Sequence, residues 1–321
     1  MARLVCDGRE LSLQPGQLVI DALADAGIGV PSSCRAGACQ SCLLQATRGR
    51  PPAESQVGLK ESLRAQAFFL ACQARPTEDL EISTAGAAKL DVPARIASVE
   101  RLAAEVLRVR LEPQLPFAYR AGQFLTLLRE DGLARAYSLA SLPSERLLEL
   151  HVRVIPGGQM SAWLGGASSV GSAVRLRGPS GECCYLPGLS QQTIVLVGIG
   201  TGLAPLWGVL RDALAAPHRG PIELWHGART PDGLYLIDEL TALQAAHRNF
   251  RYHAYALESR GPTDVALGRL DEVLLAASPS FAGRRVYLCG DAPLVQLLKR
   301  KVFLAGASLQ EVHADPFVSA K

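Results

Sequence analysis

Short runs of alternating apolar and polar residues recur between Ala94 and Leu186: Ala94–Val99, Val106–Leu111, Gln123–Leu128, Leu147–Val154 and Ala173–Arg177. A period of two puts successive side chains on opposite faces, so each run predicts a half-buried strand. Gly and Pro clusters separate the runs, which predicts an antiparallel barrel. The pattern changes at Thr193. Thr193–Val197 is continuously apolar, as a parallel strand buried on both faces would be, and a Gly-rich turn then leads to an apolar helix from Pro205. Strands at Ile222–His226, Arg251–Ala256 and Arg285–Cys289, with helical stretches near Leu236–Ala246 and Asp264–Ala276, predict an open α/β sheet. At the other end, Leu4–Cys6 and Glu10–Leu13 flank the hairpin signal Asp7-Gly8, and Val19–Ala26 has helical spacing that stops at Gly27. These belong to a small β-rich unit over 3–85, with Gly86–Pro93 as the expected linker. No internal repeat or low-complexity segment interrupts the series.

Composition narrows the function classes. With 321 residues, 48% hydrophobic, 20% charged and a net charge of +3, the chain predicts two or three domains and excludes intrinsic disorder. Thirty-three basic against 30 acidic residues leave no electrostatic footprint for nucleic acid. The segment Met1–Glu10 carries charges and no apolar core, so no secretory signal is expected. The longest uncharged run, Cys183 to Leu210, is broken by Pro187, Gly188, Gln191, Gln192 and Pro205, which argues against a membrane helix. A cytoplasmic location follows as the expectation, and there clustered cysteines point to metal rather than to disulfides.

Four of the eight cysteines are clustered: Cys34, Cys39 and Cys42 at C-x4-C-x2-C spacing, then Cys72. Two tetrahedral irons sharing two sulfides need two thiolates each, so four converging cysteines satisfy one [2Fe–2S] core. Ala36, Gly37 and Ala38 let the backbone wrap closely and aim N–H groups at the sulfurs, offsetting their charge. A structural zinc would more often take C-x2-C pairs, and four unconnected buried thiols would need no such spacing. The loop has no histidine for a Rieske centre. Val30 through Cys42, with Cys72, resembles a plant-type ferredoxin module over residues 1–88. Free ferredoxins of that type are strongly acidic. Here eight basic and nine acidic residues lie between 3 and 85, which suits a module tethered to its partner.

Two further motifs follow. Arg135-Ala-Tyr137-Ser138 lies between predicted strands, and His151-Val152-Arg153 leads to Gly157-Gly158-Gln-Met-Ser161. A guanidinium suits pyrophosphate, a tyrosine ring packs on a flavin, and a serine hydroxyl reaches a flavin N5 edge. Paired glycines at a helix start admit a phosphate to the backbone amides. Alone, Arg-x-Tyr-Ser fits an ordinary strand end. With Gly158-x-x-Ser161 and Gly178-Pro-Ser-Gly181, it resembles the flavin domain of the ferredoxin–NADP reductase superfamily. Members with an N-terminal ferredoxin module use FAD, so the resemblance implies FAD rather than FMN, with Val152 among the cofactor-binding positions.

The stretch Val195 through Pro205 contains Gly200-Thr201-Gly202-Leu-Ala-Pro205, which departs from the strict G-x-G-x-x-G fingerprint at Leu203. It resembles the superfamily's pyrophosphate loop, and His226-Gly-Ala-Arg229 and Cys289-Gly290-Asp291 match later motifs in order. The resemblance places Cys289 and Gly290 beside the nicotinamide. No acidic residue ends Ile222–His226, where a ribose-binding carboxylate is usual. Arg229 could accept the 2′-phosphate of NADPH, yet NADH-using relatives carry the same Gly-x-Arg, so NADH is favoured and NADPH stays open. Phe317 lies where relatives set an aromatic against the flavin. Cys6, Cys183 and Cys184 read as inert buried thiols, and Trp163, Trp207 and Trp225 as core.

The resemblance spans nearly the whole chain. It implies a β-grasp ferredoxin (1–88), an antiparallel Greek-key FAD barrel (92–190) and a parallel-sheet α/β NAD(P) domain (191–321). The implied activity is a reductase component of a multicomponent oxygenase. Electrons pass from NADH to FAD, singly to the [2Fe–2S] cluster, and on to a partner protein, an oxygenase or hydroxylase component or its ferredoxin. Catalytic roles fall on Ser138, Cys289 and Phe317. A reductase for a deoxysugar dehydratase, or a ferric or dye reductase, is the alternative. A redox-sensing module is a third reading, which the intact Gly200-Thr201-Gly202 and Cys289-Gly290 motifs disfavour.

Overall fold

The computed structural model describes residues 2–187, 189–259 and 261–318; Gly188, read above as one of the breaks in the uncharged run, lies outside them. Three sheets follow one another along the chain. The first has strands β1 (Leu4–Cys6), β2 (Arg9–Leu11), β3 (Leu43–Arg48), β4 (Phe68–Leu70) and β5 (Leu80–Ser83) in the order β2-β1-β5-β3-β4. Only β1 and β5 run parallel; the other pairs are antiparallel. The helix Val19–Asp25 turns Val19, Ile20, Ala22 and Leu23 into this sheet's core; of the periodic positions Ile20, Leu23 and Ala24, the last is exposed instead.

The second sheet holds β6 (Val92–Ala103), β7 (Val106–Pro113), β8 (Phe124–Leu128), β9 (Ala134–Ser138), β10 (Leu148–Arg153) and β11 (Ala173–Ser180), in the order β10-β7-β6-β11-β8-β9. Every pairing is antiparallel. A bridge between Leu139, just past β9, and Leu150 of β10 joins the two edges and closes the barrel. On β7 the alternation is plain: Leu107, Val109 and Leu111 are buried, while Arg108 and Arg110 between them are not. Arg135-Ala-Tyr137-Ser138 does not lie between strands, as its sequence suggested, but forms β9 itself. It pairs residue by residue with β8, with Thr126 opposite Ala136.

The third sheet is parallel throughout, with β12 (Ile194–Ile199), β13 (Ile222–Ala228), β14 (Phe250–Ala256), β15 (Ala266–Leu267), β16 (Arg285–Asp291) and β17 (Val312–Phe317) in the order β15-β14-β13-β12-β16-β17. Strand order reverses at β12, so the crevice beyond the carboxyl ends of β12 and β16 is where such a sheet binds its ligand. The helix after β12 runs Leu203–Ala215, starting two residues before the predicted position, with Pro205 in its first turn. The predicted helix Asp264–Ala276 is shorter, at Leu270–Ala277, because Ala266–Leu267 is taken up pairing with β14.

The expected linker is ordered. Residues Ala85–Ala88 form a helical turn with Gly86 against Gln45, and β6 begins at Val92. The barrel and the third sheet share a core in which Val106, Ala140 and Cys183 pack with Leu196, Leu206 and Cys289. Among the described residues, no helix is long and apolar enough to cross a membrane.

Candidate functional site

Strand register brings the cysteines together. β3 and β4 pair Leu43 with Leu70, and the Ala71 amide donates to the Cys42 carbonyl at 3.0 Å, so Cys42 and Cys72 meet despite their sequence separation. All four cluster cysteines are buried. Among the described residues no three His, Cys, Asp or Glu side chains converge as a single ion would require. The Cys34 and Cys39 amides each donate to the other's sulfur, at 3.5 and 3.4 Å, and Cys42 and Cys72 meet where β3 and β4 end, so the thiols fall into two neighbouring pairs. Two thiolates for each of two irons is the donor set of a [2Fe–2S] core. The amides of Ala36 and Cys39 donate to Cys34 Sγ at 3.3 and 3.4 Å, and the Ser41 hydroxyl donates to Cys39 Sγ at 3.1 Å. The neighbouring Cys39 thiol, with those amides, lowers the Cys34 pKa, and the Cys42 thiol, with Gln73, lowers that of Cys72.

The same loop docks on the barrel. Thr126 of β8 donates its hydroxyl to the Cys39 carbonyl at 2.9 Å, and Ser180 of β11 donates to Gln40 Oε1 at 2.9 Å. Arg177 Nη1 donates to the Ser41 carbonyl at 3.0 Å, while Nε and Nη2 donate to the Asp91 carboxylate at 2.7 and 3.1 Å. Both members of that ion pair are buried.

β9 faces the loop across a cleft. Arg135, Tyr137 and Ser138 line it, together with Arg153, Gly157, Gly158 and Ser161 at the opposite side. Arg135 has one described partner, the Ala134 carbonyl at 2.7 Å, which leaves most of its donors for a ligand. Ser161 Oγ accepts from the Ile155 amide at 3.1 Å and shapes the turn before the helix Gln159–Leu164. Val152 is fully buried in the barrel core behind this wall.

The carboxyl ends of the third sheet close the far side. Gly200 and Thr201 line the cleft. Gly202 does not; a Cβ there would stand 2.0 Å from the Cys289 carbonyl, so only glycine lets the loop after β12 meet the end of β16. Pro205 is buried in the helix that follows, and the Cys289 side chain is fully buried with its sulfur 3.3 Å from Cys183 Sγ. Cys183 is therefore not the isolated thiol that its sequence position suggests. Cys289 and Gly290 lie behind the cleft wall, whereas Asp291 and Phe317, paired across β16 and β17, line it.

Two residues that sequence patterns had not singled out complete the site. Asp315 on β17 accepts a hydrogen bond from the Ser138 hydroxyl at 3.2 Å, and burial pushes its carboxyl up to about 6 against that bond. Glu258, beyond β14, pairs with Arg229 at 2.9 Å, and both side chains sit on the cleft. The register of β13 beside β14 puts this carboxylate next to the position where the sequence lacked one.

The cleft is continuous from Cys34 and Cys39 past β9 to Gly200 and Arg229, with a volume of about 2160 Å³. Ordinary small-molecule pockets hold roughly 300–1,000 Å³, so there is room for more than one dinucleotide. Its lining of guanidinium groups, glycine turns and an aromatic ring suits FAD and a nicotinamide nucleotide.

The comparisons agree with this geometry. Residues 4–77 match the family model of a 2Fe-2S iron-sulfur cluster binding domain, residues 93–185 that of an oxidoreductase FAD-binding domain, and residues 196–300 that of an oxidoreductase NAD-binding domain. The chain is 33% identical to the reductase subunit of an aromatic O-demethylase from Amycolatopsis sp., over 98% of this chain and 97% of that one. It is 34% identical to the ferredoxin–NAD(+) reductase component of an alkene monooxygenase system from Xanthobacter autotrophicus, over 97% and 99%. The crystal structure of an Amycolatopsis cytochrome P450 reductase matches over the whole of both chains with a TM-score of 0.72 and 31% identity. The chain belongs to the ferredoxin–NADP reductase superfamily, as a three-module reductase component with a [2Fe–2S] ferredoxin domain ahead of its FAD- and NAD-binding domains.

Proposed function

We propose that this protein is the NADH-dependent reductase component of a multicomponent oxygenase or hydroxylase system and works in the cytoplasm. It hands electrons to the oxygenase component or to that component's ferredoxin. The observation that carries this reading is the single cleft that runs from the cluster cysteines to the nucleotide loop. The names of relatives aligned along their whole length favour an oxygenase over a dehydratase as the acceptor system. FAD, when bound, takes two electrons at once from a nicotinamide and releases them one at a time to the [2Fe–2S] cluster.

The functional units are taken as 1–88, 92–190 and 191–321. Cys34, Cys39, Cys42 and Cys72 hold the cluster, and the Thr126, Arg177 and Ser180 contacts keep its loop beside the flavin. Arg135 takes the FAD pyrophosphate with Gly158 and Ser161, Tyr137 packs on the flavin, and Val152 backs that wall. Gly200, Thr201 and Gly202, with Pro205 starting the helix, receive the nicotinamide nucleotide's pyrophosphate, while Asp291 closes that end. Ser138 stands at the flavin edge, where Asp315 Oδ2 can hold or release a proton through the Ser138 hydroxyl. Cys289 and Gly290 shape the nicotinamide seat, and Phe317 covers the flavin until the nicotinamide displaces it. Glu258 neutralises Arg229, which favours the ribose hydroxyls of NADH over the 2′-phosphate of NADPH.

The test is steady-state turnover of the purified holoprotein with NADH and with NADPH, using ferricyanide and cytochrome c as acceptors. This reading requires both acceptors to be reduced and NADH to be preferred. Failure to reduce cytochrome c in a preparation holding both cofactors would refute it.

A further inference from the structure

The fold brings Cys183, in the loop after β11, to 3.3 Å from Cys289 at the end of β16. The two come from different domains and are 106 residues apart in sequence. Cys183 lines the cleft, whereas Cys289 is wholly enclosed behind it. The neighbouring Cys184 leans the other way, towards the Glu182 carbonyl at 3.6 Å. A disulfide needs its sulfurs at about 2.05 Å, so the pair lies just over an ångström from bonding distance.

We propose that Cys183 and Cys289 are a redox pair that a peroxide converts to an interdomain disulfide, and that this disulfide slows reduction of the flavin by NADH. The effect on rate rests on the proposed placement of Cys289 at the nicotinamide seat. The chemistry needs one peroxide as the two-electron oxidant. Cys183, the thiol at the cleft, attacks hydrogen peroxide; the O–O bond breaks, an S–O bond forms, and one water leaves. The Cys289 sulfur then displaces the oxygen from the Cys183 sulfenic acid, its proton leaves in the second water, and the S–S bond forms. Two thiols are oxidised and one peroxide is reduced to two waters. Cys289 is enclosed and meets no peroxide directly, so it acts second, on the sulfenic acid formed at Cys183.

Backbone packing explains why the bond would be felt at the site. The Cys183 carbonyl lies 2.2 Å from where a Cβ on Gly122 would stand, and the Gly122 amide donates to the Leu139 carbonyl, one residue past Ser138. The Cys289 carbonyl bears in the same way on Gly202. With no slack at either glycine, drawing the sulfurs together shifts the flavin wall and the nucleotide loop against each other.

The experiment treats the holoprotein with hydrogen peroxide, unfolds it in denaturant while alkylating the remaining free thiols, and maps peptides without reduction; NADH–ferricyanide turnover is measured on the folded protein before unfolding. Ferricyanide reports the flavin step even where peroxide damages the cluster. The expected result is a Cys183–Cys289 linked peptide, turnover reduced at least about fivefold, and recovery of both with dithiothreitol. Cys183→Ser should keep its own untreated rate after peroxide, and Cys289 should stay free to alkylation in it. The proposal is overturned if both thiols are alkylated in treated wild type, if Cys183 links to Cys184 instead, or if the linked protein turns over at the untreated rate. The wild-type peptide map decides the matter even if the variant does not fold. A confirmed link with unchanged turnover would also locate the error in the assignment of Cys289 to the nicotinamide seat.

Discussion

The Thr126 hydroxyl donates to the carbonyl of Cys39 at 2.9 Å, and Thr126 sits opposite Ala136 in the β8–β9 ladder. A cluster ligand is thereby fixed one strand away from Arg135, Tyr137 and Ser138. The ferredoxin unit is held against the barrel by side chains of β8 and β11.

Arg177 is the strongest tie in this contact. Removing it as Arg177→Ala leaves the buried Asp91 carboxylate with only the long Arg175 contact at 3.9 Å, so the cost should approach the roughly 3–5 kcal/mol of a broken buried pair without reaching it in full. Thermal unfolding should move down by several degrees. Cytochrome c reduction should fall more than ferricyanide reduction, because only the former needs the cluster loop in place. Equal loss of both rates would show that the pair supports the barrel alone.

Asp315 predicts a pH signature. Its carboxyl is raised to about 6 by burial, so the folded state binds the proton more tightly than the unfolded chain does. The stability this provides is complete below about pH 4, the unperturbed range of an aspartate, and is lost as pH rises through 6. Asp315→Asn should abolish that loss and gain up to about 2 kcal/mol at neutral pH, the cleft water screening part of the charge. The measurement is melting temperature against pH for both proteins, each loaded with flavin. Parallel curves would exclude Asp315 as the titrating group.

Cofactor choice should respond to Glu258. Glu258→Gln frees the Arg229 guanidinium for a 2′-phosphate, so the ratio of kcat/KM for NADPH over NADH should rise about three- to fivefold, the scale of an exposed ion pair. Adding Arg229→Ala should reverse the gain. A ratio that does not respond to either substitution would place ribose recognition elsewhere.

Phe317 lines the cleft at the end of β17, beside Asp291. A stacked aromatic contributes roughly 0.5–1.5 kcal/mol, enough to compete with a nicotinamide for one flavin face. Phe317→Ala should tighten NAD⁺ binding by about three- to tenfold and raise NADH-dependent peroxide release, and truncation after Asp315 should do the same. Arg135→Ala should instead weaken FAD retention. If Phe317→Ala changes neither quantity, another group shields the flavin.

The parts of this architecture legible in sequence are those encoded within a few residues of each other. Cys34, Cys39 and Cys42 share one loop whose spacing points to a cluster, and Gly200 to Pro205 form one strand-to-helix turn that a family resemblance picks out. The parts that were not legible depend on pairing between distant segments. Glu258 reaches Arg229 because β13 and β14 are parallel neighbours, and Asp315 reaches Ser138 because β17 closes the sheet edge beside the barrel. Asp91 falls within the expected linker Gly86–Pro93. Its partner Arg177 lies 86 residues away, and no local pattern connects them. β9 shows no apolar alternation because Arg135, Tyr137 and Ser138 all line the cleft, where its neighbours carry apolar side chains.

The central claim is that electrons leave through the cluster and do not bypass it. Cys72→Ser removes one of its four thiolates while the FAD and NAD(P) domains keep their residues. With NADH as donor, that variant should retain flavin absorption and ferricyanide reduction, while its cytochrome c reduction collapses to about 1% of wild type, about a hundredfold loss or roughly 2.7 kcal/mol in the barrier. Full cytochrome c activity in Cys72→Ser, with the cluster shown to be absent by iron content, would contradict the account.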